Sequence, residues 1–111
     1  MTVVLVGKVV KEEDTVSASE EYGDYIKVVA DVKTGAVTIG GEWHADGERL
    51  LLENGSQQED LWGGGISISN HKIDYNSLIN IRPSISNDSM EILNQEIQDK
   101  FKSVVQDKFG L

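Results

Sequence analysis

The stretch Tyr25-Ile26-Lys27-Val28-Val29-Ala30-Asp31-Val32-Lys33-Thr34-Gly35-Ala36-Val37-Thr38-Ile39-Gly40-Gly41-Glu42-Trp43 decides the fold class of this chain. Two runs rich in β-branched residues flank a Thr-Gly pair, which predicts a β-hairpin. With Thr34 and Gly35 as a two-residue loop, Val32 faces Val37, Ala30 faces Ile39, Val28 faces Gly41 and Ile26 faces Trp43. That set is apolar and marks the core face of a sheet. The opposite face pairs Asp31 with Thr38, Val29 with Gly40, Lys27 with Glu42 and Tyr25 with His44. Thr-Gly is a weaker turn than Asn-Gly, so a longer loop with a bulge is the alternative, and a bulge at Gly40-Gly41 would shift the parity beyond it.

Working outward, a second hairpin is expected around Asn70-His71, with strands over residues 66–69 and 72–82. Its pairs would be Ile68 with Ile73 and Ile66 with Tyr75. Residues 3–6 form an apolar run suited to a strand, and residues 11–22 read as a polar, acidic helix. Leu50, Leu51 and Leu52 lie in a helix expected over residues 46–54, stopped by Asn54-Gly55. Gly63-Gly64-Gly65 has no following Lys-Ser/Thr and reads as a flexible connection rather than a phosphate loop. Ile97, Phe101, Val104, Val105 and Phe109 recur at helical spacing, so a helix should run from Gln95 to Phe109 with Asn94 as N-cap and Gly110 as stop. The order is β, α, β, β, α, β, β, α. It predicts one α+β domain over residues 1–111, with a mostly antiparallel sheet of about five strands and about three helices on one face.

Composition narrows the function. The 111 residues hold ten Lys and Arg against nineteen Asp and Glu, a formal charge of -9. That balance argues against a nucleic-acid footprint and against an anionic membrane surface. No apolar window is long enough to span a bilayer. Without cysteine, disulfides, thiol catalysis and sulfur-based zinc sites are excluded. A cytoplasmic protein is the expectation, and no cofactor signature or complete metal-ligand set is seen.

Three stretches carry candidate chemistry. In Gly40-Gly41-Glu42-Trp43-His44-Ala45-Asp46, a regular strand would project Glu42 and His44 together. A carboxylate beside an imidazole is a general acid/base pair, or two of a metal's ligands. The plainer reading pairs Glu42 with Lys27, sets His44 against Tyr25 and makes Asp46 a helix cap. In Ser56-Gln57-Gln58-Glu59-Asp60-Leu61-Trp62, Ser56 and Glu59 have capping-box spacing. Trp62 is read as a core anchor, with a stacking platform as the alternative. In Leu78-Ile79-Asn80-Ile81-Arg82-Pro83, the Arg82 fork suits a carboxylate or phosphate, including this chain's own Glu42, Glu59 or Glu91. Asn80 and Asn87 are polar candidates for the same site, whereas His71 belongs to a turn.

Taken together, Tyr22-Gly23-Asp24, Gly40-Gly41-Glu42, His44-Ala45-Asp46, Gly55-Ser56, Gln58-Glu59-Asp60-Leu61-Trp62-Gly63, Leu78-Ile79-Asn80-Ile81-Arg82-Pro83, Asn87 and Ser89-Met90-Glu91-Ile92 resemble an uncharacterised bacterial family known as a domain of unknown function. The resemblance spans roughly residues 22 to 109 and implies no activity. The residues therefore support three readings. The leading one is a binding or interaction module, in which Glu42, His44, Trp62, Asn80, Arg82 and Asn87 share one hollow at strand ends and take a small polar ligand or a partner protein. The second is an acid/base or metal-dependent enzyme using Glu42 and His44. The third is a self-satisfied polar network in a homodimer.

Overall fold

The computed structural model describes residues 2–19 and 23–111. The element order matches the expectation: β1 (Val3–Leu5), α1 (Glu12–Ala18), β2 (Tyr25–Asp31), β3 (Val37–Gly40), α2 (His44–Glu53), β4 (Leu61–Ser67), β5 (Ile73–Asp74) and α3 (Gln95–Phe109). The part of the expected first helix at residues 20–22 lies outside the described residues. The five strands form one sheet in the order β1-β3-β2-β4-β5, and every neighbouring pair is antiparallel. With three helices, this is the α+β fold read from the sequence.

Both hairpins pair the expected faces but slip by two residues. Val28 lies opposite Ile39 and Ala30 opposite Val37, and Ile66 lies opposite Ile73. The reason is common to both turns. Each closes over four residues rather than two, with the last of them in the left-handed region: Gly35 at φ 84° and His71 at φ 58°. Gly35 N–H donates to Asp31 C=O and His71 N–H to Ser67 C=O, both at 2.8 Å. A shift of two leaves side-chain parity intact, so the apolar face stays the core face as far as β3 runs; Trp43, expected opposite Ile26, lies beyond the end of β3 and is exposed. Asp31 stabilises the first turn by accepting the Lys33 and Thr34 N–H groups at 2.9 Å each. Ser56 Oγ donates to the other oxygen of Asp31 at 2.7 Å, so Ser56 is not the cap of a Ser-x-x-Glu box. Burial pushes the Asp31 carboxyl up. The hydrogen bonds from Thr34, Ser56 and Lys33 outweigh that and hold its pKa below the ordinary value.

The helices divide between the two faces of the sheet instead of sharing one. Ile26, Val28, Ala30, Val37, Ile39, Trp62 and Ile66 pack with Phe101 and Val105 of α3 and with Ala18 of α1. The alternate residues Val29 and Leu61 pack against Leu51 of α2 on the other side. The strand pleat enforces this, because Val29 is as buried as its neighbours Val28 and Ala30 and needs its own cover. In α3, Asn94 Oδ1 accepts Ile97 N–H at 3.0 Å, and Gly110 ends the helix at φ 71°. Both ends were legible in the sequence.

The Gly63-Gly64-Gly65 run is strand, not a flexible connection. A Cβ at Gly64 would lie 2.8 Å from Phe101 Cζ, and one at Gly65 would overlap the Tyr25 ring. Tyr25 crosses the strand there and donates from its hydroxyl to Asp74 Oδ2 at 2.7 Å. The three glycines thus let both faces of β4 be approached closely.

Candidate functional site

The strand expected over residues 72–82 ends at Asp74, and the chain then turns away from the sheet. Short 3₁₀ turns follow at Leu78–Asn80 and Pro83–Ile85. Asn80 explains how β4 tolerates this. Its Oδ1 accepts Gly63 N–H at 2.8 Å, and its Nδ2 donates to Gly63 C=O at 2.9 Å. The side-chain amide stands in for the missing strand by presenting one acceptor and one donor as a peptide would. The same Nδ2 reaches Tyr75 C=O at 3.0 Å and Met90 C=O at 2.9 Å.

Asn87 does the parallel task inside the loop. Its Nδ2 donates to the carbonyls of Asn80, Ser89 and Glu91, and its Oδ1 accepts Leu93 N–H at 2.8 Å. Arg82 pins the loop to the start of β4. Its guanidinium lies 4.3 Å from the centroid of the Trp62 ring. It donates to the carbonyls of Leu61, Ile79 and Glu59 rather than to a carboxylate. Burial pulls its pKa down, and the charge of Glu48 offsets part of that. Trp62 itself is 1 % exposed and belongs to the core, as the sequence reading held.

The expectation of one shared hollow is corrected by this geometry. The candidates are spread over four hollows, of which only those of His44 and Arg82 adjoin, along Leu78 and Ile79. Glu42 lines a hollow of about 380 Å³ with Gly41, Asp46 and Arg49. Arg82 lines one of about 670 Å³ with Glu48 and Glu59, and Trp62 and Asn87 line one of about 430 Å³. Asn80 is fully buried. Glu42 and His44 do not project as strand neighbours, because Gly40 and Gly41 at φ 82° and 87° end β3 and His44 begins α2. Asp46 caps that helix by accepting Trp43 N–H at 3.0 Å, as expected for a cap. No group of three or more His, Cys, Asp or Glu poised for a metal occurs among the described residues.

His44 has a different setting. It lines a hollow of about 360 Å³ with Lys27, Trp43, Ala45, Asn76, Ser77, Leu78, Ile79 and Met90. Its Nε2 lies 2.7 Å from Gly64 C=O, and a carbonyl only accepts, so Nε2 carries the hydrogen. Gly63 makes room for this, since a Cβ there would lie 2.6 Å from Ser77 Cβ and 3.1 Å from His44 Cδ2. Around the mouth, Trp43 is 61 % exposed, Leu78 63 % and Met90 45 %. The residues missed by the sequence reading are therefore Trp43, Leu78 and Met90. Each stands inside a quoted motif, but nothing in a sequence says that a large apolar residue faces water.

A family model described as "Protein of unknown function (DUF5674)" matches residues 4–108. The chain belongs to that family. No curated protein and no solved structure matches it. No helix among the described residues is long and apolar enough to cross a membrane.

Proposed function

We propose that this protein is a binding module whose site is the apolar hollow between the start of α2 and residues 76–79 with Met90. The observation that carries this reading is the convergence of Trp43, Leu78 and Met90, all exposed, on one concavity that His44 also lines. Large apolar side chains gathered in a concave site mark recognition surfaces. A volume near 360 Å³ suits one or two apolar side chains of a partner protein. Trp and Met are also residue types enriched at protein interfaces.

The polar candidates support the site from behind. Asn80 and Asn87 fix the backbone that carries Leu78 and Met90, and Arg82 fastens the same loop to β4. A socket built on such a frame loses little entropy on binding. The enzyme reading has less support, because the Glu42 and His44 side chains line different hollows.

Titration with N-acetyl amino-acid amides, followed by backbone amide NMR shifts, tests the reading. At about millimolar concentration the leucine and phenylalanine amides should shift Lys27, Trp43–Ala45 and residues 76–79 and 90, while the glutamine amide should not. Shifts scattered over the surface, or none at all, would overturn it.

A further inference from the structure

The apolar hollow has a neighbour. The hollow that contains Arg82 is lined by Leu78 and Ile79 as well, so the two concavities meet along that ridge. Its acidic side chains are Glu48 and Glu59. Glu48 lies one helical turn after His44 on α2, which puts it on the same side of the helix as the apolar socket. Neither carboxylate accepts a hydrogen bond or ion pair of 4 Å or less among the described residues. The one cation in this hollow, Arg82, already spends its donors on three carbonyls and its face on Trp62.

Resting on the reading of the socket above, we infer that the partner is a basic segment of another protein. It would seat a large apolar side chain between Trp43 and Leu78 and place a lysine or arginine of the same segment against Glu48 and Glu59. Charge complementarity selects this occupant. The chain carries a formal charge of -9, which draws a basic segment toward it. A second copy of this chain would bring the same net charge and lacks that complementarity.

Three fluorescein-labelled six-residue peptides test the inference by fluorescence anisotropy. All share a central Leu-Leu. Two lysines, two serines or two glutamates flank it on each side. The lysine peptide should bind at least about tenfold more tightly than the serine peptide in low salt, and the advantage should fall as salt screens the carboxylates. The pair E48Q/E59Q should cut that advantage several fold and leave the serine peptide unchanged, and an advantage that both substitutions leave intact would overturn the assigned carboxylates. The neutral change Leu78→Ser should weaken both peptides several fold, since it removes an exposed apolar side chain without adding charge.

Equal binding of the lysine and serine peptides would overturn the basic partner and leave the apolar socket standing. Undiminished binding of the lysine peptide to the Leu78→Ser variant would reduce the effect to diffuse charge attraction and overturn the inference. Failure of all three peptides to bind would overturn the socket itself. A tighter glutamate peptide would overturn the assigned sign of the partner.

Discussion

Two adjoining regions of this molecule invert the usual arrangement of side chains. The loop behind the site buries amides: Asn80 and Asn87 are almost wholly enclosed and make every contact to main chain. The hollow in front exposes Trp43, Leu78 and Met90. The difference follows from what each region must satisfy. A segment without regular strand pairing leaves peptide groups in need of partners, and a buried asparagine supplies both donor and acceptor. A concavity lined by apolar side chains has no such need, and under the function proposed above its surface stays in water until a partner covers it. Polar motif residues are therefore not the same thing as a polar site.

The largest expected effect breaks the frame. Asn80→Ala should cost about 3 kcal/mol in urea denaturation, because it leaves the Gly63 N–H and C=O inside without a partner and takes the second donor from the Tyr75 and Met90 carbonyls, which keep the Ile92 and Ser77 N–H groups. A loss below about 1 kcal/mol would show that the amide is not the substitute for a strand argued above.

Gly47→Ala comes next and tests how closely the helix on the other face approaches. In an open helix the change stabilises by about 1 kcal/mol. Here a new Cβ would run into Thr38 Oγ1 and lie 3.1 Å from Val29 Cγ2, so about 2 kcal/mol of destabilisation is expected. The Thr38 hydroxyl is buried without a hydrogen-bond partner, so shortening that residue to Ala in the double variant should recover much of the loss.

Arg82→Lys should cost about 1–2 kcal/mol despite keeping the charge, because an ammonium cannot span three carbonyls while lying flat on Trp62. Thermal unfolding with Arg82→Ala as the reference measures it, and equality of Lys with wild type would return Arg82 to the list of free ligand-binding groups.

Asp31 gives a pH dependence of similar or smaller size. Its folded pKa lies below its unfolded value of about 3.9, so its stabilisation is present above that pH and is lost as pH falls through the folded pKa. The stability gap between wild type and Asp31→Asn should therefore be constant near neutrality and narrow below about pH 4.

The smallest stability effect belongs to the hollow. Trp43→Ala should change stability by no more than about 0.5 kcal/mol. It should weaken the leucine-amide shifts by several fold, which no frame residue can do without also destabilising the fold.

Hairpin faces, the element order and both ends of α3 were legible in the residues. Each is set by local chemistry: pleat parity, the Asn94 cap and the Gly110 stop. The hairpin registers were not legible. Thr34-Gly35 and Asn70-His71 invite a two-residue turn, and only the packed sheet shows that each loop has four. Gly63-Gly64-Gly65 was misread for a related reason. Its glycines answer to Ser77, His44, Phe101 and Tyr25, residues remote in sequence.

The sequence by itself determined that this acidic chain folds as α+β with an antiparallel sheet, because alternation and helical spacing are local properties that survive any detail of packing. Tertiary structure alone decided which motif residues face inward. Asn80, Asn87 and Arg82 went to unpaired carbonyls and amides, since burying those groups unsatisfied costs more than sequestering an amide or a guanidinium that satisfies them. Trp43, Leu78 and Met90 were left at the mouth of a hollow, because the core was already filled by Trp62, Phe101 and the strand residues between them.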